Sequence, residues 1–77
     1  MSKWSLEGYR VSAVYIDRFH VNGIVEKSHI NFDGEIYHTV LLDRYIKVLG
    51  VLKDKVTVNH RNVTGLLGYP KYWFEPV

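Results

Sequence analysis

Apolar positions along this chain alternate with polar ones in short runs, the period of a half-buried strand, and nowhere recur at helical spacing over ten or more positions. Over residues 9–16, Tyr9, Val11, Ala13 and Tyr15 share one face while Arg10 and Ser12 begin the other. Asp17-Arg18 is a polar break, after which residues 19–27 read as a second strand with Val21, Gly23 and Val25 on one face. Asn22-Gly23 is a hairpin signal, but a turn there leaves residues 19–21 as a stub, so Gly23 is read as a strand glycine or bulge. Asp33-Gly34 marks the next turn. Residues 36–43 make a third strand, apolar on both faces at Val40-Leu41-Leu42. Residues 45–49 are a fourth β-rich run that Gly50 interrupts, Lys53-Asp54-Lys55 reads as an exposed connection, and residues 56–59 alternate again. Residues 62–67 complete the set as a last strand or a single helical turn.

The length, 77 residues, suits one domain, with an N-terminal arm over 1–8, a β-barrel over 9–67 and an aromatic tail over 68–77. The hydrophobic fraction of 47% is enough for a packed core and speaks against a disordered chain. With no cysteine there is neither a disulfide nor a thiolate metal site, so packing and ladder hydrogen bonds must hold the fold. The first residues lack the apolar run of a signal peptide, and no stretch approaches the roughly 18 to 20 apolar residues of a membrane span. A soluble cytoplasmic protein without a membrane partner is therefore expected.

The order of strand signals resembles the SH3-like barrels of the KOW and Tudor type. The matching residues are Val11, Ala13 and Tyr15, then Gly23 and Val25, then Val40, Leu42 and Asp43, and the likeness covers residues 9–64. It implies an all-β, five-stranded SH3-like barrel that works by binding; the aromatic tail, beyond the likeness, is expected to pack on that barrel. Two departures bear on function. Asp17-Arg18-Phe19-His20 does not reproduce the glycine-rich first loop of KOW domains. The aromatics available for a Tudor-like cage, in which ring faces attract a bulky cation, are Tyr15, Phe19, Tyr37 and Tyr45. Six tyrosines in so small a barrel otherwise read as core and rim packing. Compact cysteine-free chains of this kind also resemble phage-encoded regulatory proteins, for which the compartment is the host cytoplasm.

The net charge of +2 is small but unevenly placed. Residues 1–43 have a balance of −2, whereas residues 44–61 carry Arg44, Lys47, Lys53, Lys55 and Arg61 against Asp54 alone, a balance of +4. Several cations on one barrel face, with Tyr45 among them as a stacking platform, describe a surface that follows a phosphate backbone. Nucleic acid, DNA or RNA, is accordingly the first expected partner, and a solvated rim is the bland alternative. A second expectation is a protein partner or homodimer, held by Trp4, Tyr69, Tyr72, Trp73 and Phe74. The same aromatics folded back over the barrel mouth would instead enlarge the core.

No catalytic constellation is present. His20, His29, His38 and His60 form no spaced metal-binding pair and read as scattered surface histidines. Gly65-Leu66-Leu67-Gly68 is too apolar for a phosphate loop, and no motif sets Ser, His and Asp as a triad. The expectation is a non-enzymatic accessory protein without cofactor or metal.

Overall fold

The computed structural model describes residues 5–68. Five strands form one antiparallel sheet: β1 (Arg10–Tyr15), β2 (Phe19–Ile30), β3 (Ile36–Val48), β4 (Val51–Asn59) and, after a 3-10 turn at His60–Asn62, β5 (Val63–Gly68). Their order is β4-β3-β2-β1-β5, so the first four strands make a meander and the last returns to pair with the first. No ladder joins β4 to β5, and the sheet is open there. It curls nonetheless, because β4 reaches β1 across the core although the two are not neighbours in the ladder. No helix among the described residues is long and apolar enough to cross a membrane.

The alternation in β1 and β2 is the observed burial pattern. Val11, Ala13, Val21, Gly23 and Val25 point inward and meet Val40 of β3 and Val56 and Val58 of β4. Among the described residues, seven of the nine buried hydrophobic ones are valines, whose branched side chains suit a pleated surface but fill little volume. Tyr9, Tyr15, Phe19, Leu42, Ile46 and Val63 supplement this thin core from its margin. Leu6 is also buried, and the Gly8 N–H donates to the Val25 carbonyl at 2.9 Å. From Leu6 onward the expected N-terminal arm is thus tied to the sheet.

Gly23 is a strand glycine, as its position in β2 requires. A Cβ on it would overlap the Leu41 carbonyl oxygen and stand 2.8 Å from Val40 Cγ1. Only a residue without a side chain lets β3 approach this closely.

Three boundaries differ from the sequence reading. The second strand continues to Ile30, because a register shift between Val25 and Lys27 inserts Glu26 as an extra residue. Strict alternation would send Lys27 inward; the shift instead turns Ser28 into the core, opposite His38. The third and fourth predicted runs are one strand, β3, which passes through Arg44 and Tyr45 by an irregularity between Leu41 and Ile46. Lys53-Asp54-Lys55 is not a connection but the middle of β4, since the turn falls earlier, at Leu49-Gly50. Asn62 to Leu67 combines both alternatives, closing the 3-10 turn and then pairing as β5.

Candidate nucleic-acid interface and a buried histidine chain

The ladder between β2 and β3 ends at the Gly23↔Leu42 pair, and beyond it the far half of the β3–β4 hairpin diverges from the rest of the sheet. Leu41 pairs with Lys55 and Ile46 with Lys53, so four residues of β3, numbers 42–45, face Asp54 alone. Such an excursion re-aims the side chains it carries. Residues 42–46 and His20, Val21 and Asn22 of β2 line a cleft of about 360 Å3 that includes Asp43, Arg44 and Tyr45. Tyr45 is 67% exposed, leaving a ring face open to a ligand. Arg44, the imidazole of His20 and the amide of Asn22 give the cleft hydrogen-bonding groups suited to phosphate and base edges.

The five cations expected to act together divide into two sets. Lys55 Nζ lies 3.3 Å from Glu26 Oε1, and Arg61 Nη2 lies 2.6 Å from Glu35 Oε1. Arg61 is further occupied by the cap of the 3-10 turn, donating from its backbone N–H at 3.0 Å and its Nε at 3.2 Å to Asn59 Oδ1. Asn59 in turn donates to Glu35 Oε1 at 2.7 Å. The Glu35 carboxyl is held below the usual range, first by that Asn59 hydrogen bond and then by the Arg61 hydrogen bond and charge. Arg44, Lys47 and Lys53 make no ion pair among the described residues. Asp43, the acid beside Arg44, is itself engaged by Arg10 at 2.7 Å, leaving Asp54 as the carboxylate of the hairpin without such a partner among the described residues. Lys47 pairs with Leu52 and Lys53 with the adjacent Ile46. Adjacent cross-strand pairs take opposite faces, so these lysines flank the ribbon on both sides.

At the end of this hairpin the Val48↔Val51 pair closes a two-residue turn, Leu49-Gly50, with φ of 52° and 82°. Both positive angles make it the mirror-image turn whose twist matches a hairpin and which favours Asn or Gly at its first position. Leu49 occupies that position with 97% of its surface exposed, next to the exposed Val51 and Leu52.

The four aromatics proposed for a cage do not converge. Tyr15 and Phe19 pair with each other across the β1–β2 turn, ring centroids 6.5 Å apart. Tyr37 lies at the opposite end of β3 from Tyr45 and stacks on His29 at 5.6 Å.

Two of the histidines, His20 and His29, are exposed as expected, but His38 and His60 are not surface residues of that kind. His38 is wholly buried and is the largest fully buried side chain among the described residues. Its Nδ1 is 2.7 Å from Ser28 Oγ, and its Nε2 is 2.7 Å from His60 Nδ1. The Leu6 N–H donates to Ser28 Oγ at 3.0 Å, while the Ser28 N–H donates to Glu7 Oε2 at 2.8 Å. The chain Ser28–His38–His60 accordingly ties the N-terminal segment, β2, β3 and the 3-10 turn together. Two proton arrangements satisfy it, one with Ser28 donating toward His38 and the other with every donor reversed. Burial, then the charges of His60 and His29, push the His38 imidazole down to about 4, so it is neutral near pH 7. Ser28 is buried with its hydroxyl occupied on both sides, which suits a brace and not a nucleophile open to substrate. Strict alternation concealed this chain, because the extra residue at Glu26 was not visible in the pattern; the signal was His38 at an inward position of β3. Among the described residues, no group of three or more His, Asp or Glu side chains is arranged to hold a metal ion.

The second predicted surface, Trp4, Tyr69, Tyr72, Trp73 and Phe74, lies outside the described residues. Close to where they join the sheet is a cleft of about 480 Å3, lined by Ser5, Leu6, Tyr9, His60, Val63, Thr64, Gly65 and Leu66. No family model, curated protein or solved structure matches this chain.

Proposed function

We propose that this protein is a non-enzymatic nucleic-acid-binding accessory protein that holds its ligand on the far half of the β3–β4 hairpin, on an SH3-like barrel of the KOW/Tudor type. The barrel reading is supported by the strand order, with β5 returning to β1, and by the contact of β4 with β1 across the core. One observation carries the binding reading: Arg44, Lys47 and Lys53 are left without carboxylate partners among the described residues on the same hairpin that exposes Tyr45. Cations already paired with carboxylates must give up those contacts to reach phosphate, whereas unpaired ones need only release counterions. Lys55 and Arg61 are therefore assigned to the fold, and the phosphate contacts to Arg44, Lys47 and Lys53. Tyr45 supplies the stacking face.

A panel of single- and double-stranded DNA and RNA, titrated at low salt and followed by gel shift, tests this. Binding that weakens steeply with salt and is lost on combined substitution of Arg44, Lys47 and Lys53 by Gln is expected. The absence of binding to every member of the panel would sink the proposal.

A protein partner captured by the aromatic tail is the second reading, favoured by the apolar cleft formed by Leu6, Tyr9, Val63 and Leu66 beside the point where the tail begins. Under it, truncation after Gly68 abolishes partner capture and leaves the sheet folded; an unfolded truncation product would instead make the tail part of the core.

A further inference from the structure

Non-glycine residues of the described chain take positive φ at three positions, Ile16 (44°), Asp17 (62°) and Leu49 (52°). Asp tolerates this backbone, but aliphatic side chains, and branched ones above all, do not. Ile16 and Leu49 are also exposed, by 50% and 97%, so neither is held there by burial in the core. Both stand at the same end of the sheet. β2 runs antiparallel to β1 and to β3, which brings the β1–β2 turn, at the start of β2, alongside the β3–β4 turn, at the end of β3. Two aliphatic side chains thus occupy strained, water-exposed turn positions at one end, where Asn would fold better and dissolve better. Strain that folding does not use is expected where function does.

The strands that carry Leu49 present Lys47 and Lys53 on opposite faces. Lys53 shares its face with Ile46 and Val48, which pack inward, and Lys47 shares the open face with Leu52, so the cations flank the turn on either side. A tip flanked in this way fits the mouth of a groove, whose phosphates line both walls, and a groove of double-stranded nucleic acid is wide enough to admit a two-stranded tip. At such a tip an exposed aliphatic side chain has one productive place to go, between two base pairs, where it is removed from water and the step unstacks. We infer that the β3–β4 hairpin enters a groove of duplex DNA and inserts Leu49 between base pairs as a wedge, with Lys47 and Lys53 on the flanking phosphates. This rests on the nucleic-acid reading above and adds to it the duplex form of the ligand and a deformation of it.

Leu49→Asn separates the wedge from the fold, because Asn is favoured in this turn. The variant should be folded and melt roughly 4 °C or more above the parent. Binding is followed by anisotropy on a labelled 20-base-pair DNA duplex, and unstacking by the fluorescence of 2-aminopurine placed within it. The unsubstituted protein should bind and raise the 2-aminopurine signal; Leu49→Asn should bind roughly tenfold more weakly and leave that signal unchanged. If Leu49→Asn binds and unstacks like the parent, the wedge is wrong while nucleic-acid binding stands. If the unsubstituted protein binds no nucleic acid of any form, both readings fall. Its sedimentation with vesicles of anionic phospholipid in that case would assign the exposed tip to a membrane surface instead.

Discussion

At the centre of the sheet, Val11, Val25 and Val40 are buried in extended backbone that suits their branched side chains, whereas at the tip of the β3–β4 hairpin Leu49 stands in water on backbone that opposes it. In the first region local preference, alternation and burial agree, which is the condition for a sequence to specify one structure. In the second, alternation holds as far as the buried Val48, and at Leu49 local preference and burial are both set aside. The cations divide along the same line. Lys55 and Arg61, close to the core half of β4, are joined to Glu26 and Glu35, while Lys47 and Lys53, on the divergent half, have no carboxylate partner among the described residues. One half of the hairpin ties its cations to the fold, and the other, although Ile46 and Val48 pack inward from it, leaves its cations without carboxylate partners among the described residues.

Gly23→Ala breaks the core side of this contrast most severely. The added methyl would overlap the Leu41 carbonyl oxygen, and a backbone atom cannot retreat as the end of a side chain can. A loss of about 3 kcal/mol or more is expected in urea unfolding; an unaffected midpoint would mean that β3 does not approach β2 as described.

The pH dependence of stability probes the polar part of the core. The unfolded chain takes up a proton on His38 near its ordinary value of 6.5, and the folded chain only near about 4. Stability conferred by the neutral imidazole is therefore complete above pH 6.5 and lost as the pH falls toward 4, by about 3 kcal/mol at most. Urea midpoints between pH 7 and pH 4 should show this slope, and His38→Gln should flatten it. An equal slope in that variant would place the titrating group elsewhere.

At the tip the sign reverses. Leu49→Asn is expected to stabilise the fold by about 1 kcal/mol, since it relieves the left-handed strain and removes an exposed aliphatic group. A destabilised variant would show that Leu49 contributes contacts to the fold. The smallest effect is that of Lys55→Gln, whose pair with Glu26 is half exposed and worth less than about 1 kcal/mol. Its nucleic-acid affinity should stay within about twofold of the parent in the same titration. A large loss there would return Lys55 to the binding surface.

Where one face of a strand is buried, its residues were legible in advance: Tyr9 to Tyr15, Val21 to Val25 and the inward glycine at 23 follow from period two alone. The pattern failed where the ladder gains residues. Glu26 shifts the phase of β2 and hides the Ser28–His38 pair, and the excursion of residues 42–45 makes one strand resemble two. The charge count located the hairpin but could not separate its cations, because Glu26 and Glu35 are distant in sequence from Lys55 and Arg61 and meet them only through the sheet. In the sequence Gly50 marks only an interruption of a β-rich run, since the backbone angles alone show that a leucine fills an asparagine-type position.

The most direct test of the hairpin as a binding surface is the salt dependence of duplex DNA affinity, measured by anisotropy for the parent and for the variant with Arg44, Lys47 and Lys53 all replaced by Gln. Each phosphate contact contributes about −0.9 to the slope of log affinity against log salt, so the triple variant should bind more weakly and lose between two and three units of slope, roughly. Equal slopes and affinities for the two proteins, or no binding by the parent at low salt, would contradict the assignment.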